Sequence, residues 1–143
     1  IEHFETAAYR LLSNLSTRPK VFDPPPAYTL IIRTEIDPAM ASEYERYLAK
    51  VKSVQDPASN SPTAIRRVSV RGVAATYVTA QFFNKNAELD SWPALNDLLT
   101  KAYGEAEARS ILEASLRCIR KRDGFTLMYR PDLSQPTAGS ASK

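Results

Sequence analysis

Four short runs rich in β-branched and aromatic residues set the tightest limit on what this chain can fold into: 28-YTLIIRTEI-36, 64-AIRRVSVRG-72, 74-AATYVTAQFF-83 and 125-FTLMYR-130. Each is bounded by Pro, Gly, Asn or Asp, the residues that end strands. Between the first and second lies a helical pattern with Met40, Tyr44, Tyr47, Leu48 and Val51 on one face. Glu43, Glu45, Arg46 and Lys50 fall on the other. Asp37 suits its N-cap and Pro38 its first position, and the polar loop 55-QDPASNSP-62 ends it. The second and third runs adjoin around Gly72 as a hairpin. An interrupted helical region follows, capped by Asn86, restarted by Pro93 after Trp92, and divided at Gly104 into 94-ALNDLLTKAY-103 and 105-EAEARSILEASLRCIRKR-122. In the last helix Ile111, Leu112, Ser115, Leu116, Cys118 and Ile119 form a buried stripe. Its basic end, 120-RKR-122, complements the helix dipole, and Asp123-Gly124 closes it.

The order β-α-β-β-α-β predicts an α+β, ferredoxin-like antiparallel sheet with its helices on one face. At 143 residues the chain is one domain with room for a core that needs no metal or disulfide. The folded body spans 27–134. Before it, residues 1–26 read as an amphipathic helix (Phe4, Ala8, Leu11, Leu12, Leu15) and a stiff proline-rich spacer, 23-DPPP-26; after it, 135–143 reads as a flexible tail. The N-terminal helix packs back on its own domain or reaches across to a partner subunit. Its polar face is not basic enough for a membrane surface.

A net charge of +3 is too small for a nucleic-acid footprint, and no apolar run approaches the length of a membrane span. The single cysteine, Cys118, excludes an internal disulfide, and its place beside an apolar stripe marks it as a buried, inert thiol. The chain opens on Ile1, not Met, which implies that preceding residues were removed and leaves the compartment open.

Period-two alternation sorts the strands into two faces. Leu30, Ile32, Ile36, Val68, Val70, Val78, Ala80, Phe82, Phe125, Leu127 and Tyr129 are assigned beneath the helices. The other face takes Ile31, Arg33, Glu35, Arg67, Ser69, Arg71, Tyr77, Thr79, Gln81, Thr126, Met128 and Arg130, four arginines against one glutamate. Three uses compete for it: a solvated surface, a subunit interface, or a site for an anionic or polar ligand held by Arg33, Arg67 and Arg71.

The element order, the segment 82-FFNKNAELDSWPAL-95 and the ending 129-YRPDLS-134 resemble the dimeric α/β-barrel superfamily over about residues 28–134. The likeness is to small bacterial members related to antibiotic-biosynthesis monooxygenases. The resemblance implies two sheets packed through their open faces, with any active site between a sheet and its helices or inside the barrel. It also implies a bacterial protein of cytoplasm or, after loss of a signal peptide, periplasm. Oxygen-using members rely on a histidine with Trp and Asn nearby, whereas this chain has one histidine, His3, outside the matching region, and 90-DSW-92 where a histidine would stand. Haem degradation is therefore disfavoured. Trp92 and Asn96 are the pocket candidates, against Trp92 as a packing anchor; Tyr77 is a candidate acid or oxyanion donor, against a structural tyrosine. No catalytic triad, metal cluster, P-loop or dinucleotide fingerprint is present, so no cofactor and no metal is expected.

Two functions follow. The first, preferred on the missing histidine and the arginines, is a non-catalytic binding or assembly module whose open sheet face and N-terminal extension engage a partner, either a second copy or another subunit. The alternative is a cofactor-independent monooxygenase-type enzyme acting on a small aromatic or polyketide-like substrate. The ligand- or partner-binding residues are Arg33, Arg67, Arg71, Tyr77, Gln81, Arg130, Trp92 and Asn96.

Overall fold

A computed structural model describes residues 8–69 and 75–132. Strand β1 (Tyr9–Leu11) precedes β2 (Tyr28–Ile36), α1 (Ala41–Gln55), β3 (Ala64–Ser69) and β4 (Ala75–Phe83). Helices α2 (Asn86–Ser91), α3 (Leu95–Tyr103) and α4 (Glu105–Cys118) lead to the last strand, β5 (Ile119–Met128). The sheet runs β1-β3-β4-β2-β5, with every pair antiparallel. Without β1 this is the ferredoxin-like order expected from the sequence.

The N-terminal helix is not what the described residues form. Tyr9–Leu11 pair with Arg67–Ser69 as an added edge strand, and Ser13–Leu15 make a single 3-10 turn. Leucines at 11, 12 and 15 fit a helix, but a strand followed by a turn also sends Leu12 and Leu15 inward, at 2% and 5% exposure, while Leu11 stays 52% exposed. The edge of β3 decides between them, because its backbone groups need partners. The Leu12 amide donates to the Arg66 carbonyl at 2.8 Å, and Thr17 and Ala64 exchange two bonds of 2.8 and 3.0 Å. Leu12 and Leu15 of this segment pack in one core cluster with Ile36, Tyr44 and Val68 of the 27–134 body. Phe4, residues 70–74, where a turn around Gly72 was expected and where Val70 and Arg71 lie, and residues 133–143, which include the tail expected over 135–143, lie outside the described residues.

The end of the last helix also differs. It stops at Cys118, and Arg120, Lys121, Arg122, Asp123 and Gly124 belong to β5. Ile119 continues the helical spacing in sequence, but it pairs with Ile36, and the Asp37 amide donates to the Cys118 carbonyl at 3.1 Å. A register shift between Glu35 and Ile36 absorbs the join. The three cations thus guard half of an edge strand against stray pairing instead of capping a helix. Asp37 does cap: its carboxylate accepts from the Ala39 amide at 3.0 Å, though the first turn, Pro38–Met40, is 3-10. Asn86 does not; it is the first helical residue, after Lys85. Gly104 joins α3 to α4 at φ +90°, a backbone state that glycine adopts freely.

Two apolar clusters hold these layers. In the first, Tyr44 and Leu48 of α1 pack on Ile36, Val68, Tyr77, Cys118, Leu12 and Leu15. In the second, Val54 meets Leu99, Ala108 and Ile111 of α3 and α4.

Candidate functional site

Directly opposed residues of an antiparallel pair share a face, so the ladders fix which side chains lie where. Ile36 and Val68 stand in the core beneath α1, and Tyr77 pairs with Thr34 and Val68. The helix face of β4 is therefore Tyr77, Thr79, Gln81 and Phe83. Its open face is Thr76, Val78, Ala80 and Phe82, the reverse of the sequence assignment. The same inversion holds for β5: Phe125 and Leu127 oppose Ile31 and Thr29 on the open face, whereas Thr126 and Met128 oppose Leu30 and Tyr28. For β2 and β3 the expected phase holds, with Ile31, Arg33, Glu35, Arg67 and Ser69 open. Alternation misled in β4 because both of its faces carry apolar side chains, which removes the contrast that sets phase.

The open face divides along the strands. At one end Ile31, Ile65, Ala80, Phe82, Phe125 and Leu127 make an apolar patch, with Phe125 and Leu127 42% and 51% exposed. At the other, Tyr9, Arg33, Glu35, Thr76, Lys121 and Asp123 line a polar hollow of about 300 Å³. Arg33 forks onto Asp123 at 3.1 and 3.2 Å and lies 5.5 Å from the Phe125 ring centre. Arg67 is exposed on the same face and has no ion pair among the described residues. The face is thus mixed in charge and largely apolar, not the arginine-rich surface expected.

The remaining candidates are dispersed. Tyr77 is buried on the helix face and donates to the Glu45 carboxylate at 2.7 Å. Burial first, and then that bond, hold its phenol well above the usual tyrosine range, which locks it as a neutral donor. Gln81 is half-buried on the same face, between Leu30 and Ala64. Arg130 lies past the end of β5 and grips Asp132 at 2.7 and 3.0 Å. Asn96 lines a separate hollow between α3 and α4, with Arg109 and Leu112.

Trp92 has a different setting. It stands edge-on to Phe83, ring centres 6.0 Å apart, in the wall of a cavity of about 500 Å³ at the sheet end where β2 and β3 begin and β4 finishes. Phe22, Phe82, Phe83 and Trp92 supply its aromatic surface; Asn60, Ser61, Thr63, Asn84 and Glu88 its polar groups; Arg18 and Lys20 its cations. The Ser61 hydroxyl is buried with no hydrogen-bond partner among the described residues, a state that costs about 1–3 kcal/mol. Only Trp92 was legible as part of this cavity. The rest comes from the end of β4 and helix α2, which precede Trp92 in the chain, and from the 18–26 segment and the 59–63 loop, which no periodicity connects to them. Among the described residues no group of three or more His, Cys, Asp and Glu side chains could hold a metal, and no helix is long and apolar enough to cross a membrane.

The fold is ferredoxin-like α+β. No protein-family model matches the chain, and no curated protein does. Among solved structures it is similar to the 1.55 Å crystal structure of a "putative monooxygenase" from Lactobacillus acidophilus NCFM, with a TM-score of 0.51 at 15% sequence identity. The match covers 79% of this chain and 47% of that one, so the chain spans about half the length of the Lactobacillus protein. At that identity the likeness is one of fold.

Proposed function

We propose that the chain is a homodimer-forming member of the dimeric α/β-barrel superfamily and works as a cofactor-independent monooxygenase-type enzyme on a small aromatic or polyketide-like substrate. The open sheet face carries the first part. Phe125 and Leu127 stand exposed beside Ile31 and Phe82. Covering such a patch gains roughly 25 cal/mol per Å² of apolar surface. A second copy fits because the face bears both signs, Arg33, Arg67 and Lys121 with Glu35 and Asp123, and so can complement itself about a two-fold axis.

The enzyme part is supported by the fold shared with the Lactobacillus protein and by the aromatic-walled cavity. That likeness favours it over the non-catalytic assembly module. Without a cofactor, the substrate must supply the electrons: a methylene flanked by aromatic rings becomes a carbonyl as O2 delivers one oxygen atom to carbon and the other leaves as water. The chain's part is to hold and orient such a molecule against ring faces. The separation of Tyr77, Asn96 and Trp92 into different surroundings supports the module as a second reading.

Light scattering on the purified chain, paired with oxygen uptake over anthrone-type and naphthol substrates, tests both parts. A species of about twice 15.9 kDa that consumes oxygen with one of them is expected. A dimer inert to the whole panel leaves the assembly module standing, and a monomer removes the barrel.

A further inference from the structure

We infer that the sheet-end cavity is a binding site for a flat aromatic anion, a fused-ring carboxylate, with its ring at the sheet end between Trp92 and the Phe22–Phe82 pair and its carboxylate toward Lys20, Arg18 and the Ser61 hydroxyl. The proposal deepens the enzyme reading by naming the substrate class, and it is tested by binding alone. Three observations carry it. The first is size: about 500 Å³ lies within the range of small-ligand sites. The second is the wall, where the Phe22 and Phe82 rings lie 4.8 Å apart, Trp92 meets Phe83 edge-on at 6.0 Å, and π-faces thus gather at one end of the sheet.

The third is the polar end. Arg18 donates to the Ala58 and Ser59 carbonyls at 2.7 and 3.1 Å, so its charge is held in place without being neutralised by a carboxylate there. Lys20 Nζ sits 4.9 Å from the Phe22 ring centre and makes no ion pair among the described residues. Against these two cations the cavity has, among the described residues, one acid, Glu88, whose carboxylate accepts from the Asn84 amide at 3.3 Å. Ser61, only 8% exposed, has a hydroxyl with no partner among the described residues, so it gives up no bond to them in turning to an incoming acceptor. Guanidinium, ammonium and hydroxyl beside ring faces suit a carboxylate on an aromatic body.

Trp92 is the chain's single tryptophan, so one indole N–H resonance in a proton–nitrogen correlation spectrum reports on the wall directly. The full chain is titrated with 2-naphthoate and, separately, with its neutral isostere 2-naphthamide. The expected result is a saturable shift of that resonance, with naphthoate bound roughly fivefold more tightly than the amide at low salt and the gap narrowing as salt rises. Lys20→Gln closes the gap while leaving amide binding in place, and Ser61→Ala weakens naphthoate roughly three- to tenfold. No movement of the resonance with either compound overturns the site. Equal, salt-independent affinity for the two overturns its anionic specificity. Saturable naphthoate binding by a chain that takes up no oxygen supports the site and removes the catalytic reading alone.

Discussion

Arg66 sits on the helix face of β3, 4% exposed, where its neighbours Ala64 and Val68 are core residues. It donates to the Leu15 carbonyl at 2.6 Å, the Thr17 hydroxyl at 3.0 Å and the Gln55 side-chain carbonyl at 3.2 Å. All three acceptors are neutral, and burial pulls its pKa below the usual guanidinium value. The side chain ties the N-terminal segment and α1 to the sheet by hydrogen bonds, not by an ion pair. Arg66→Ala takes its donor from the buried Leu15 carbonyl, while Thr17 and Gln55 keep their 3.1 Å bond to each other, and it is expected to lower stability by about 1–3 kcal/mol in urea unfolding. Arg67→Ala, one residue on and facing outward, should change it by less than about 0.5 kcal/mol. Equal losses would show that Arg66 is not buried. Tyr77 adds a pH signature. Burial and then the bond to Glu45 raise its pKa, and burial raises that of Tyr47. Above about pH 10 the unfolded chain releases these protons while the folded chain keeps them. Stability is therefore whole below that pH and falls as the pH climbs beyond it. Urea midpoints at pH 9 and 11 should show the drop, and Tyr77→Phe should lessen it; an unchanged drop would assign it to other groups.

At the scale of elements, the sequence was legible where one face of an element is buried and the other wet. Helix α1, with Tyr44, Leu48 and Val51 inward, and strand β2, ending in Thr34 and Ile36, follow their periodicity. Legibility failed where tertiary pairing chose between two local fits. Leu11, Leu12 and Leu15 satisfy a helix as well as a strand and turn, and only the free edge of β3 selects the latter. The cavity was illegible for a related reason: Lys20, Ser61 and Trp92 are brought together by the ends of elements, where no repeat carries information. The strand assignment has a direct test. As a continuous helical stripe, Leu11 and Leu12 would lose similar amounts on truncation. In the structure Leu12→Ala empties a site that is 2% exposed and should cost about 2–4 kcal/mol, whereas Leu11→Ala, 52% exposed, should cost under about 1 kcal/mol. Thermal or urea unfolding of the two variants, run side by side, decides it; similar losses would return the segment to a helix.

For the whole molecule the governing fact is that, among the described residues, the helices lie on one face of the sheet, while the other carries an apolar patch that reaches β5. The Arg120, Lys121 and Arg122 charges protect the first half of that edge strand, but the second half is Phe125, Thr126, Leu127 and Met128, all exposed. An edge with one half guarded and the other apolar suits cover by a specific neighbour better than exposure to solvent. If the neighbour is a second copy, folding and association are linked, and the unfolding midpoint rises with protein concentration. Leu127→Asp places one carboxylate in each half of such an interface. It should convert the dimer to monomer and abolish the concentration dependence while the helix-face core, which Leu127 does not touch, stays folded by circular dichroism. Thr126→Asp, on the opposite side of the same strand, serves as the control and should leave the dimer intact. Both variants remaining dimeric would move the interface off this face. Both becoming monomeric would make the β5 edge itself, and not the sheet face, the surface through which copies meet.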